Sequence, residues 1–233
     1  MSTHPAISIL IRTLGVVAIV FTSSVGVDAQ GPSVISSTFE GGSEGWRTGT
    51  HPTGASFDAL QGTTTPGWKA SGGHPGGALF VVDAEDASDF YFDAPASFLG
   101  NRRNYYGGEL RYDIKSEGTD APMDAPDVVL VSLGMVLIHD RPGALGAGWN
   151  TISVTLTQNS WRIAQRDGAT PSKAEFERVL TYLTALRING EFRSGTDTGW
   201  IDNVVMTPPQ TASPAGETAP ISTDHGMPMP PQR

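Results

Sequence analysis

Short runs of β-branched, aliphatic and aromatic residues, each cut off by glycine, proline or aspartate, narrow most sharply what this chain can fold into. Such runs, with no alternating helical stretches, specify strands stacked in a sandwich rather than a parallel sheet with crossover helices. On this pattern strands are expected at residues 34–39, 78–82, 89–92, 109–115, 128–132, 135–138, 151–157, 186–192 and 200–206. In the fourth of these, Leu110, Tyr112 and Ile114 alternate with Arg111, Asp113 and Lys115, so one face is expected to be apolar and the other wet. Leu133-Gly134 lies between two apolar runs and predicts a tight hairpin, whose hydrophobicity marks both arms as central strands. One helix interrupts the pattern. Ser172-x-x-Glu175 forms a capping box, and Phe176, Val179, Leu180 and Leu183 recur at i, i+3, i+4 and i+7, giving an apolar stripe that closes over an end of the sandwich. The fold class is therefore all-β, an antiparallel β-sandwich with one short capping helix.

Neither end carries a core. Residues 14–21 are apolar but too few to span a bilayer. His4 and Arg12 precede them, and small and polar residues follow as far as Val27-Asp28-Ala29, so residues 1–29 read as a secretory signal peptide cut after Ala29. No later segment is predicted to cross a membrane. Residues 207–233 are rich in Pro, Thr, Ser and Gly and are expected to be disordered, because they cannot bury enough apolar surface to offset the entropy of ordering. Residues 30–206 remain as one domain of usual size for a sandwich. With no cysteine in the sequence, disulfides, a lipoprotein anchor and thiolate metal sites are excluded. A formal net charge of -9 repels phosphate backbones and argues against nucleic acid as a partner.

From Asp83 onward a succession of motifs resembles the laminin IV (laminin B) domain, the globular module set among the cysteine-rich repeats of laminin short arms and related matrix proteins. It begins with Phe90-Tyr91-Phe92-Asp93-Ala94-Pro95, Phe98-Leu99-Gly100, Tyr105-Tyr106-Gly107-Gly108-Glu109-Leu110 and Asp127-Val128-Val129-Leu130. It continues through Trp149, Trp161, the helix from Glu175-Phe176 to Leu183, and Leu186-Arg187-Ile188-Asn189-Gly190-Glu191-Phe192, and ends on Gly199-Trp200-Ile201-Asp202-Asn203-Val204. The resemblance implies a jelly-roll sandwich akin to carbohydrate-binding modules, with Trp161 and Trp200 packed inside. It also implies a secreted, non-catalytic module for adhesion, matrix or cell-surface binding, extracellular or periplasmic, whose partner is an extracellular protein. The alternative is a module recognising a polysaccharide.

Site residues follow from these two readings. In carbohydrate-binding modules similar to this chain, an acidic residue near the first strand and an Asp on the last share a structural calcium; Glu40 and Asp202 occupy those places. Calcium takes oxygen donors only, which suits a cysteine-free chain. Equally open is that Glu40 is exposed and Asp202 accepts from nearby backbone amides. For sugar stacking the candidates are Trp68, beside Pro66 and Gly67 in an expected loop, and Tyr105. Asp83, Glu85, Asp86 and Asp89 lack the spacing of a calcium loop and read first as a solvated cluster. His51, His74 and His139 share no ligand spacing. Gly41-Gly42-Ser43-Glu44-Gly45 matches a hydrolase nucleophile elbow, but Arg47-Thr48-Gly49-Thr50-His51-Pro52 cannot supply the helix that must follow, so no catalytic residues are assigned.

Overall fold

The computed structural model describes residues 31–52, 54–83, 88–123 and 125–210; the expected signal peptide, and residues 211–233 of the expected tail, lie outside them. In the described chain the strands are β1 (Ile35–Ser37), β2 (Arg47–Pro52), β3 (Gln61–Thr64), β4 (Gly67–Lys69), β5 (Ala78–Val82), β6 (Ser88–Asp93) and β7 (Glu109–Glu117). They continue with β8 (Val128–Ser132), β9 (Met135–His139), β10 (Asn150–Thr155), β11 (Trp161–Ile163), β12 (Leu183–Asn189) and β13 (Thr198–Thr207), with helix α1 (Lys173–Thr181) before β12. One sheet runs β10-β7-β13-β5-β4 with β1 also on β13, and the other runs β11-β9-β8-β12-β6-β2-β3. Neighbours are antiparallel throughout.

The expected hairpin is present. Ser132 pairs with Met135 across Leu133-Gly134, and Gly134 takes the φ of 74° that such a turn demands and that costs glycine nothing. Both arms lie inside their sheet, and β8 is buried on both faces. The second burial comes from Phe57 and Leu60, which pack over Tyr91, Val129, Val131, Val136 and Ile138 on the sheet's outer side.

The main core lies between the sheets and includes the fully buried Phe39, Trp46, Phe92, Phe98, Leu130 and Trp161. Helix α1 caps one end as its stripe predicts. Phe176 meets Trp161 edge-on at 5.5 Å, and the capping box closes with Ser172 N donating to Glu175 Oε2 at 2.7 Å and Glu175 N to Ser172 Oγ at 3.3 Å.

Four strands were not foreseen. β2 and β3 consist of Arg, Thr, Gly, His, Pro and Gln, with almost no large apolar residue, and they become strands only because β6 offers β2 a ladder and β2 offers one to β3. β4 and β11 are three residues each, too short to show periodicity. The strand expected at 186–192 instead occupies Leu183–Asn189, starting almost directly from the helix.

Two substitutions test this packing. Leu180→Ala, at a fully buried position, is expected to cost about 3 kcal/mol from lost transfer energy and a residual cavity. Ser172→Ala, which removes the cap, is expected to cost about 1 kcal/mol. Denaturant midpoints of the two variants check both values.

Candidate functional site

Strand β13 changes partner half-way along one edge. Its first residues pair with β5, ending at Ile201 opposite Leu79; its later ones pair with β1, starting at Val204 opposite Ser37. Across its other edge the ladder to β7 skips a residue between Asp202 and Val205, and Asn203 in the bulge has φ 48°. The extra residue resets the alternation, so that Ile201 and then Val204 and Met206 all enter the core. Asp202 therefore sits in the gap between two edge partners, and its register also sets it directly opposite Asp113.

Two carboxylates facing each other across a ladder repel, and both are buried. Donors from His74, Asn203 and Thr151 offset this. Asp202 accepts from His74 N at 2.6 Å and from Asn203 N at 2.7 Å. Asp113 accepts from Thr151 Oγ1 at 2.6 Å and Asn203 Nδ2 at 2.9 Å, and His74 Nδ1 stands 3.2 Å from it. Asn203 Nδ2 also donates to His74 O at 2.6 Å. Burial, and then the charges of Asp113 and Glu40, raise the Asp202 carboxyl to about 6 against its two amide donors.

Glu40 enters from the other side of the same loop. A Cβ on Gly76 would lie 2.0 Å from Glu40 Oε1, and one on Gly73 would lie 2.6 Å from Asp202 Oδ2, so both carboxylates rest on positions only glycine allows. Trp68 joins them: its indole N–H donates to Phe39 O at 2.6 Å, and its ring is 40 % exposed. Glu40, Asp202 and Trp68 are thus brought together around residues 73–77.

Tyr105 is not. It is 5 % exposed, packs in the main core and donates its hydroxyl to Ser33 O at 2.5 Å. The expectation that it joins Trp68 as a stacking surface is corrected by that burial. Trp68 itself lies on β4 rather than in a loop.

Trp161 packs inside as implied, but Trp200 does not. It lies on the outer face of its sheet, covered by Lys69 Nζ at 4.8 Å and Lys115 Nζ at 4.5 Å from its ring and tilted against Phe80 at 5.0 Å. Lys115 also reaches Trp149 at 5.2 Å, which stacks on His74 at 6.1 Å. The outer face of β7, expected to be wet, is therefore half closed, and Asp113 on it is 2 % exposed. The alternation gave the direction of each side chain but not the loop and aromatic layer that cover them.

Both geometries weighed for Glu40 and Asp202 leave marks here. Glu40 is exposed and Asp202 accepts two backbone N–H groups, yet each carboxylate oxygen keeps a further lone pair. The donors at the loop are hard oxygens of the kind calcium takes. Among the described residues no group of three or more His, Cys, Asp or Glu is placed to hold a metal ion. An ion here would have to complete its shell around these two carboxylates with main-chain carbonyls and water.

A second acidic group is only partly the one the sequence suggested. Asp83 N donates to Asp197 O at 2.9 Å at the ends of β5 and β13, and Glu191 accepts from Phe90 N at 3.1 Å beside Asp89. Glu85 and Asp86 lie outside the described residues. Burial first, then the charges of Asp83 and Asp89, push Glu191 to about 8. Neither Glu191, inside the run expected as a strand at 186–192, nor Asp197 is marked by the sequence as part of this group.

With this geometry established, comparison with known proteins decides the family: residues 91–221 match Laminin B (Domain IV). The chain belongs to the laminin B family. It is similar to laminin subunit gamma-1 of Xenopus tropicalis, 29 % identical over 204 residues that cover 85 % of this chain and 12 % of that protein. It is also similar to the basement membrane-specific heparan sulfate proteoglycan core protein of Mus musculus, 31 % identical over 51 % of this chain and 3 % of that protein. This laminin B chain therefore corresponds to a small part of each relative. The L4b domain of human laminin alpha-2 shares its fold, with a TM-score of 0.57 at 18 % identity over 75 % of this chain and 97 % of that domain. The jelly-roll sandwich is thus the family's architecture.

The Glu191 carboxyl generates a pH prediction. Its folded value of about 8 lies above the ordinary 4.5, so the folded state holds a proton that the unfolded state has released. Stability is then fully present below about 4.5 and is lost as pH rises through about 8. Asp127 and Asp202, near 6, and His139, lowered by burial to about 4, lie below the Glu191 value, while burial also raises Asp89, Asp93 and Asp197, so the Glu191 share is the part its variant removes. Urea midpoints are expected to fall as pH rises toward about 8, and Glu191→Gln is expected to flatten the fall.

Proposed function

We propose that this laminin B domain is an extracellular, non-catalytic interaction module whose partner is a matrix or cell-surface protein. The match over residues 91–221, together with relatives named as laminin subunits and a basement membrane proteoglycan, carries the reading. The export signal expected at residues 1–29 is consistent with it. Ser43 argues in the same direction: the turn that holds it runs into β2, whereas a nucleophile elbow runs into a helix. Among the described residues no helix is long and apolar enough to cross a membrane.

Polysaccharide binding is the second reading, supported by the exposed indole of Trp68. Surface plasmon resonance of the full chain over immobilised matrix proteins is expected to give saturable binding to at least one. Affinity electrophoresis through neutral polysaccharides is expected to leave its mobility unchanged. Retardation by a glycan, abolished in Trp68→Ala, would move the assignment to the second reading.

Glu40 and Asp202 are proposed to share a structural calcium that ties the segment after β1 to β13. Such an ion binds the native state alone and stabilises it by about 2.7 kcal/mol at a hundredfold excess over Kd. Calcium is therefore expected to raise Tm, a chelator to reverse the rise, and Asp202→Asn to abolish the response. An unchanged Tm in calcium would remove the ion from the account.

A further inference from the structure

The surface at the C-terminal end of α1 gathers an exposed apolar pair and a charge that the fold does not use. Tyr182 is 55 % exposed and Leu133 is 71 % exposed. Leu183 pairs with Ser132 where β12 runs beside β8, so one step further along the same antiparallel register Tyr182 comes beside Leu133. Apolar residues exposed one at a time are ordinary on a protein surface. Two large ones brought together at a strand end form a patch that a partner can desolvate.

The helix brings charge to the same place. Tyr182 N donates to Arg178 O at 3.2 Å, so the helical pitch persists to Tyr182 and the exposed Arg178 lies one turn back on the same side. The other charged side chains of α1 are engaged. Glu177 meets Arg103 at 3.3 Å and Lys173 at 3.7 Å, and Glu175 accepts from Ser172 N at 2.7 Å. Arg178 forms no ion pair or side-chain hydrogen bond among the described residues. Arg102 joins it at this end: its main-chain N donates to Leu180 O at 2.7 Å, and its guanidinium donates only to the carbonyls of Asn101 and Ser97. In a chain of formal net charge -9, this end therefore sets positive charge around an apolar centre.

That combination selects its occupant. Tyrosine and arginine are the side chains that most often carry binding energy between proteins. A two-fold dimer through this surface would set Arg102 and Arg178 against the same residues of the second copy, which like-charge repulsion disfavours. Leu133 offers a sugar neither a ring face nor a hydrogen-bonding group, which favours a polypeptide over a glycan.

We propose that Leu133, Arg178 and Tyr182 form the centre of a docking surface for an acidic protein segment. An apolar side chain of that segment packs against Leu133 and Tyr182 while its carboxylates accept from Arg178 and Arg102. The inference deepens the matrix-partner reading by naming the surface and the partner's chemistry, and rests on it for the source of the segment.

The test is NMR titration of the isotope-labelled full chain with a short peptide alternating glutamate with leucine and phenylalanine, and with its counterpart in which lysine replaces glutamate. The acidic peptide is expected to give saturable shifts at the amides around Leu133, Arg178 and Tyr182, and the basic peptide none. Arg178→Glu is expected to abolish the response and Tyr182→Ala to weaken it tenfold or more, both with Tm unchanged because the positions are exposed. Val82→Ser, at an exposed apolar residue of the other sheet, is expected to leave it intact. Equal shifts from both peptides, no saturable response in the millimolar range, or a full response in Arg178→Glu would overturn the proposal. Saturation of the same amides by dextran sulfate but not by the acidic peptide would overturn it in favour of a glycan. Binding to a matrix protein that persists undiminished in Arg178→Glu would remove this surface from the functional reading and leave that reading standing. A wild type that binds no matrix protein yet gives the peptide shifts would sink the functional reading and leave the surface.

Discussion

The buried carboxylate of Asp202 stands where the sandwich is most exposed to failure. A strand that pairs with two successive partners along one edge leaves main-chain groups unsatisfied at the change-over, and buried polar groups without partners are costly. Here the change-over falls between Ile201 and Val204 of β13. Asp202 accepts from the loop amide of His74 and from Asn203 of its own bulge, closing the gap from two sides. The bulge that frees Asn203 also turns Val204 and Met206 into the core. Packing of the last strand and the positioning of the candidate cation site are therefore one device.

The cost of that device is charge. Asp202, Asp113 and Glu40 are close enough for Asp202 to feel the other two, and no Lys or Arg pairs with any of them among the described residues. Neutral donors from Asn203, Thr151 and the His74 backbone do the work instead. A divalent cation held by oxygen ligands would relieve the remaining repulsion. The lysines on this sheet, Lys69 and Lys115, are engaged elsewhere, lying over Phe80, Trp149 and Trp200.

Much of this was legible in the sequence where local rules and tertiary packing agree. β5 and β8 fall on the residues their apolar runs mark, and the capping box fixes the start of α1. The order of laminin-like motifs points to the family that the match over 91–221 establishes. What was hidden depends on partners distant in sequence. β2 and β3 have no strand signal of their own, and Tyr105 sits in a turn-like stretch yet is drawn into the core. The resemblance implies a core place for Trp200, but the bulge and the lysine stems bury it on the opposite face. Glu40, Asp202 and Trp68 were singled out separately, and only the fold shows that one glycine-rich loop gathers them. Nothing in the sequence joins His74, Asp113 and Asn203 to this site, because their roles come from register across β7 and β13.

Because the gap in β13 is closed by Asp202, amide hydrogen exchange in the full-length Asp202→Ala variant tests the account most directly. Local opening reports the stability of the segment that loses its anchor. The account predicts that protection falls at the amides of His74 and Asn203 and in the rest of residues 73–77, while β8 and β12 in the opposite sheet remain protected. Unchanged exchange at His74 and Asn203 would contradict it and show that β13 holds its two partners without the carboxylate.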